Sequence, residues 1–238
     1  MFSFIRRYNF VESKLFNGFA DCHSHILPGV DDGVQSVDES LKILEWYEQM
    51  GVKRVIFTPH IMEDYPKNDA AYLREEFAKF RGEYSGNIEL SLAAEYMLDS
   101  KFERHIESGD MLTLWDNYLL VESSYMSPPL HFFETLQMLM SKGYFVVLAH
   151  PERYLFLTSN DYKRLKEMGI LFQLNLLSIC GGYGEVVKKR TQTLLDSAYY
   201  DIVGSDIHKL GYHDRMINES KLKKSQIEQI IAIVSKKR

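Results

Sequence analysis

The chain has 238 residues and 45% hydrophobic content, enough to bury a substantial core in one large α/β domain or two small ones. Its formal net charge of −5 excludes a nucleic-acid binder that works through bulk positive charge. Two cysteines, Cys22 and Cys180, are too few to staple a fold of this size and fit a reducing cytoplasm, and no apolar run approaches the roughly 20 residues that span a bilayer.

The first 17 residues read as an amino-terminal arm. Phe2, Phe4, Ile5, Tyr8 and Phe10 are interspersed with Arg6, Arg7 and Lys14, which breaks any signal-peptide apolar segment. Packing of these aromatics against the domain is the expected arrangement, a weak interfacial membrane contact the alternative. From Gly18 to the carboxyl terminus we expect a single domain. Phe19 to His25 reads as a short strand running into a loop marked by Pro28-Gly29 and Asp31-Asp32-Gly33. Strand alternation would put Asp21, His23 and His25 on one face and Cys22 on the other.

Strand and helix then alternate. Helical spacing of Leu41, Leu44, Tyr47 and Met50 predicts a helix over 37–50 closed by Gly51, followed by a strand over 54–58 ending in Pro59-His60. A helix over 70–80 precedes a strand over 88–94 ending in Glu95. A strand over 118–121 ends in Glu122, and a helix over 130–140 leads to a strand over 144–149 ending in His150. Helix 161–168 and strand 171–175 follow, then helix 191–199, strand 202–205 ending in Asp206 and His208, and a closing helix over 221–234. Seven buried strands separated by helices predict a parallel sheet closed as a TIM-like (β/α) barrel.

The polar residues turn this architecture into chemistry. His23, His25, His60, Glu95, Glu122, His150, Asp206 and His208 all fall at or just past a strand's carboxyl end, where a parallel barrel has its mouth, and Asp32 in the following turn can swing back to it. That inventory exceeds the three or four ligands of a mononuclear site, so two or three ions with a bridging carboxylate are expected. Imidazole and carboxylate donors without thiolate suit Mn²⁺, Fe or Zn²⁺.

The segments Asp21-Cys22-His23-Ser24-His25, Asp31-Asp32-Gly33, Thr58-Pro59-His60, Ala94-Glu95, Val121-Glu122, His150-Pro151-Glu152-Arg153-Tyr154 and Ser205-Asp206-Ile207-His208, in this order from about Gly18 onward, resemble the polymerase and histidinol phosphatase (PHP) family. Within it they are most similar to the manganese-dependent tyrosine phosphatases of bacterial capsule and exopolysaccharide loci, the CpsB/CapC type. The resemblance implies a distorted seven-stranded barrel with three divalent metals, manganese foremost. One metal would take His23, His25, Glu95 and Asp206; a second Glu95 as bridge, Glu122 and His150; a third Asp32, His60 and His208. It also implies a cytoplasmic phosphatase whose partner is the phosphotyrosine-bearing tail of a bacterial tyrosine kinase, with homo-oligomerisation left open.

Metals of this kind supply a hydroxide nucleophile and charge neutralisation, and Arg153, three residues past His150, is the expected catalytic clamp on the phosphoryl oxygens. The branch usually carries an arginine-proline pair shortly after its last metal histidine. Here the stretch runs His208-Lys209-Leu210-Gly211-Tyr212-His213-Asp214-Arg215, so either Arg215 or His213 is the candidate substitute or the contact is missing. Alternative functions are a phosphatase of a small metabolite such as histidinol phosphate, a phosphodiesterase, and a non-catalytic metal-stabilised binding module. Gly181-Gly182-Tyr183-Gly184 reads as a mobile loop at the mouth, with a phosphate-cradling nest the alternative, and the lysines at 221, 223, 224, 236 and 237 with Arg238 as a solvated helix face, with contact to an acidic partner the alternative.

Overall fold

The computed structural model describes residues 7–236, so residues 1–6 of the arm and the terminal Lys237 and Arg238 lie outside the described residues. Eleven strands are present among the described residues: β1 (Arg7–Tyr8), β2 (Ala20–Asp21), β3 (Arg54–Phe57), β4 (His60–Ile61), β5 (Glu89–Leu92), β6 (Glu95–Met97), β7 (Tyr118–Glu122), β8 (Phe145–Leu148), β9 (Leu171–Asn175), β10 (Tyr200–Gly204) and β11 (Leu222–Lys223). One six-stranded parallel sheet has the order β10-β9-β8-β7-β6-β4, and a three-stranded parallel sheet the order β2-β3-β5. The arm adds an unforeseen antiparallel pair, with Arg7 opposite Lys223 and Tyr8 opposite Leu222.

Two expected strands are broken. Pro59 has no N–H to continue a ladder, so β3 stops at Phe57 and His60 opens β4 instead of trailing β3. Likewise Glu95 opens β6 after Ala93-Ala94, and His60 and Glu95 become register partners. At the other margin, Asp206 N–H donates to the His23 carbonyl (2.8 Å) and His25 N–H to the Ile207 carbonyl (3.0 Å), tying the end of β10 to the segment after β2.

Among the described residues ten α-helices flank the sheets: α1 (Phe10–Ser13), α2 (Val37–Met50), α3 (Ala70–Glu83), α4 (Phe102–Ser108), α5 (Phe132–Ser141), α6 (Ser159–Glu167), α7 (Leu176–Cys180), α8 (Glu185–Asp196), α9 (Leu210–Glu219) and α10 (Lys224–Val234). α2 forms where expected because Ser36 caps the Glu39 N–H and Gly51 takes the left-handed C-cap at φ 91°. Its inward stripe is Ser40, Ile43, Leu44 and Tyr47, with Leu41 and Met50 at the margin. α8 starts six residues ahead of the expected helix and stops before Ala198, which adopts φ 53°. The short α4, α7 and α9 escaped sequence reading, being too brief or too polar for a clear periodic stripe.

Strand side chains are buried on both faces, as covered parallel sheets require. Val55, Phe57, Leu119, Val121, Val146 and Leu148 join the large core beneath the helices, while Ile56, Leu120 and Val147 meet Cys22, Ala93, Ala149 and Ile202 in a second, inner cluster. Phe10 and Phe16 of the arm are fully buried in the large core, each such side chain contributing about 1.5–3 kcal/mol of burial. Both cysteines are thiols, and among the described residues no helix is long and apolar enough to cross a membrane.

Candidate active site

Strand alternation ends at Asp21, which corrects one expectation. Asp21 does not join His23 and His25; its carboxylate accepts from Tyr47 Oη (2.6 Å), Ser205 Oγ (2.6 Å) and Ser205 N (2.8 Å). Burial pushes its carboxyl upward, opposed by those hydrogen bonds. Cys22 sits in the inner apolar cluster, so no thiolate enters the site. His23 and His25 do converge, with Nε2 atoms 3.1 Å apart.

The other seven expected ligands gather around them. Glu95 Oε2 lies 3.1 Å from His23 Nε2, 3.3 Å from His25 Nε2 and 3.3 Å from His60 Nδ1, while its Oε1 is 3.1 Å from His150 Nε2. His60 Nδ1 is 3.0 Å from Glu122 Oε1. Asp206 Oδ1 is 3.5 and 3.3 Å from the Nε2 atoms of His23 and His25, and Asp32 Oδ1 is 3.5 and 3.6 Å from the Nε2 atoms of His60 and His208. Atoms bonded about 2.1 Å from one tetrahedral or octahedral cation stand roughly 3.0–3.4 Å apart, the spacing seen here. Four overlapping groups could each hold an ion: His25/Asp32/His60/His208, His23/His25/Glu95, His60/Glu95/Glu122 and His23/His150/Asp206. These differ from the partition expected above by placing His25 also with Asp32, His60 and His208, His60 also with Glu95 and Glu122, and His150 with His23 and Asp206. Buried His60 Nδ1 has no hydrogen bond of proper geometry despite its two carboxylate neighbours, which fits a donor aimed at a shared cation.

Backbone and outer partners hold these side chains. His150 (φ 31°) and Asp206 (φ 56°) take left-handed conformations costing about 1–3 kcal/mol each, a strain that strand-end packing sustains. Asp31 accepts from His25 Nδ1 (2.9 Å), His60 N (3.0 Å) and Gly33 N (3.0 Å). Gln173 Oε1 accepts from His23 Nδ1 (3.0 Å) and from the His150 backbone (3.1 Å). Such contacts select the tautomer that presents Nε2. Sequence reading noted Asp31 only as a turn residue and missed Gln173 and Asn175, although these two polar residues alternate with Phe172 and Leu174 along β9. Asn175 Nδ2 donates to Asp206 Oδ2 (2.7 Å).

Charge in the cluster is organised by opposites. Burial disfavours ionisation of Glu95 and Asp206, but the imidazoles, His23 foremost, hold both well below the usual carboxylate range. Burial and His25 oppose a charge on His60, yet Glu122 and Glu95 raise it to about 9. Asp32 is depressed, chiefly by the neighbouring His208 imidazole.

The cluster opens into a cavity of about 390 Å³, with Tyr125, Arg153, Tyr183, Lys209 and His213 on its wall. Arg153 Nη1 donates to Asp206 Oδ2 (3.0 Å), and its guanidinium lies 4.1 Å from the Tyr125 ring and 4.2 Å from the Tyr183 ring. Neither Glu152 nor Asp161 pairs with it: Glu152 is fully buried, accepting from Asn175 N and Tyr200 Oη, and Asp161 caps α6. Arg215 is exposed beside Tyr212 and does not line the cavity, whereas His213 does but is neutral, burial lowering it to about 3. The glycine segment is a tight turn after α7 that delivers Tyr183 to Arg153.

The family model for capsular polysaccharide synthesis, CpsB/CapC, matches residues 19–232. The chain is 30% identical over 204 residues to the tyrosine-protein phosphatase CpsB of Streptococcus pneumoniae, covering 80% of this chain and 83% of that protein. It is 28% identical over 196 residues to the tyrosine-protein phosphatase YwqE of Bacillus subtilis, covering 80% and 77%. A solved structure from the pair described as YwqE of Bacillus subtilis and CpsB of Streptococcus pneumoniae, metal-dependent tyrosine phosphatases, matches with a TM-score of 0.76 at 24% identity, over 92% of this chain and 87% of that one. At that identity the match speaks to the fold.

Proposed function

The chain belongs to the CpsB/CapC family of capsular polysaccharide synthesis proteins, and from that premise we propose that it is a metal-dependent protein-tyrosine phosphatase. The observation that carries this reading is a cluster of nine imidazole and carboxylate side chains, six of which (Asp32, His60, Glu95, His150, Asp206 and His208) line one cavity together with the Arg153 guanidinium. We assign His23, His25, Asp32, His60, Glu95, Glu122, His150, Asp206 and His208 as ligands of three divalent ions, manganese first, with Glu95 shared between sets. We also read the two parallel sheets as one distorted seven-stranded (β/α) barrel, β3–β4 and β5–β6 each counting as one strand, within a single domain over 18–238.

When bound, such ions neutralise phosphoryl oxygens and lower the pKa of coordinated water toward neutrality. The protein's own residues position the substrate. Asp206 anchors one edge of Arg153 while the Tyr125 and Tyr183 rings hold its plane, leaving further donors of the five-donor fork for phosphoryl oxygens. Asp31 and Gln173 keep His25 and His23 oriented, so the cluster needs little rearrangement when phosphate enters. A tyrosine phenolate, with an aqueous pKa of about 10, leaves with less protonation than an alkoxide requires. The natural substrate we assign is the phosphorylated tail of a bacterial tyrosine kinase controlling polysaccharide export, met in the cytoplasm.

The test is phosphate release by chelator-stripped protein, with and without Mn²⁺, from a phosphotyrosyl peptide, its phosphoseryl counterpart and histidinol phosphate. Metal-dependent turnover strongest on the phosphotyrosyl peptide and abolished in His150→Ala is the expected result. Preference for histidinol phosphate, or turnover independent of metal, overturns the assignment.

A further inference from the structure

A second concavity, of about 270 Å³, lies beside the mouth and is strongly basic. Arg7 reaches it from β1, Lys221 and Lys223 from β11 and the residue before it, and Lys188 and Lys189 from α8; Glu185 is its one acidic wall residue. Five cations from three separate elements therefore face one hollow on a chain whose net charge is −5. A solvated helix face does not explain this, because the cations come from a strand pair and a helix remote in sequence. Arg7 and Lys223 are also register partners across the β1–β11 ladder, a like-charge pairing that destabilises a sheet when nothing anionic intervenes. Lys188 stands 3.8 Å from Glu185 and Lys221 3.6 Å from Glu12, whereas Arg7, Lys189 and Lys223 have no ion-pair partner among the described residues.

The hollow is coupled in space to the candidate active site by the 181–184 turn. Tyr183 lines the mouth and Glu185 the basic hollow, so lining residues of the two surfaces lie two apart in the chain, at most about 7 Å between their Cα atoms. Resting on the tyrosine-phosphatase reading, we infer that this hollow is a secondary docking site for an acidic segment flanking the phosphotyrosine on the same substrate polypeptide. Carboxylates, or further phosphates, seated there relieve the Arg7–Lys223 repulsion, and a few extended residues reach the mouth. A concave hollow between a strand pair and a helix admits an extended peptide and excludes a flat bilayer, which favours the peptide over an anionic membrane. The site adds affinity without touching the reacting phosphate.

The experiment compares wild type with the triple variant Lys188→Ala, Lys189→Ala, Lys223→Ala, whose equal melting temperature first confirms folding. Substrates are para-nitrophenyl phosphate, a phosphotyrosyl peptide rich in Asp and Glu, and the same peptide with Asn and Gln in their place. We expect unchanged turnover of the small substrate, a KM for the acidic peptide raised about tenfold in the variant, and loss of wild type's preference for acidic over neutral peptide. Fluorescence anisotropy of the unphosphorylated acidic peptide measures docking without turnover, so failure of the phosphatase reading is distinguished from failure of the docking site. Equal acidic-peptide affinity in wild type and variant overturns the proposal. So does a variant that keeps its peptide affinity while losing binding to phosphatidylglycerol vesicles, which reassigns the hollow to a membrane.

Discussion

Replacing Gly204 with alanine tests whether close approach of backbone at the end of β10 positions the candidate metal-binding histidines. A Cβ at residue 204 would stand 2.5 Å from His23 Cβ, 2.9 Å from Gln173 Nε2 and 3.2 Å from His23 N. Carbon atoms settle at about 3.5–4.0 Å, so relief requires a shift of roughly 1 Å. His23 is fully buried and held at both ring nitrogens, by Gln173 Oε1 and Glu95 Oε2, and its neighbour Gln173 also supports His150. The strain therefore passes into the cluster. Overpacking of this kind costs about 1–3 kcal/mol, which for a chain of this size lowers Tm by roughly 2–12 °C. Displacement of two ligands at once weakens manganese binding by about 10- to 100-fold. Thermal melts with and without Mn²⁺, together with a manganese titration, measure both effects. Gly211→Ala is the control: nothing lies within 4 Å of its Cβ position in α9, and it should be neutral or stabilising by up to about 1 kcal/mol. A Gly204→Ala protein that melts and binds manganese like wild type would refute the argument that this glycine sets the position of His23.

Asp31→Ala removes the acceptor of His25 Nδ1 and of the His60 backbone, and should lower manganese affinity by about 10- to 100-fold in a calorimetric titration while the fold is retained. Arg153→Lys keeps the charge but loses the planar fork stacked between Tyr125 and Tyr183; kcat/KM for a phosphotyrosyl peptide should fall by about tenfold or more, with manganese affinity little changed. In metal-free protein the raised His60 contributes stability that is complete below its ordinary value of 6.5 and is lost as pH climbs through about 9. Melts in excess chelator should therefore show Tm declining from pH 6.5 to 9, a decline reduced in His60→Gln. The depressed Glu95 and Asp206 act with the opposite sign, their contribution disappearing as pH falls below the carboxylate range.

Much of this protein is legible in one dimension because its fold places strand ends, and therefore short sequence motifs, around one opening. The nine candidate ligands are recognisable by residue type and by their position after apolar runs, and α2 is readable from its Ser36 cap, its apolar stripe and Gly51. Local rules failed where distant segments compete for the same group. Asp21 looked like a partner of His23 and His25 by alternation, but Tyr47 and Ser205, 26 and 184 residues away, offer its carboxylate three hydrogen bonds away from the cluster's donor atoms. Gln173, Asn175 and Tyr183 acquire their roles only when β9 and the turn after α7 are brought against Asp206 and His23. The basic hollow is equally invisible in sequence, since its cations sit at positions 7, 188, 189, 221 and 223 and meet only through the pairing of β1 with β11. Residue chemistry and period are written along the chain, and they determined the candidate ligand set and the alternation of elements. Which candidate ligands stand close enough to share an ion, which residues orient them and where charge accumulates depend on approaches of a few ångströms between remote segments, and those the tertiary structure alone decided.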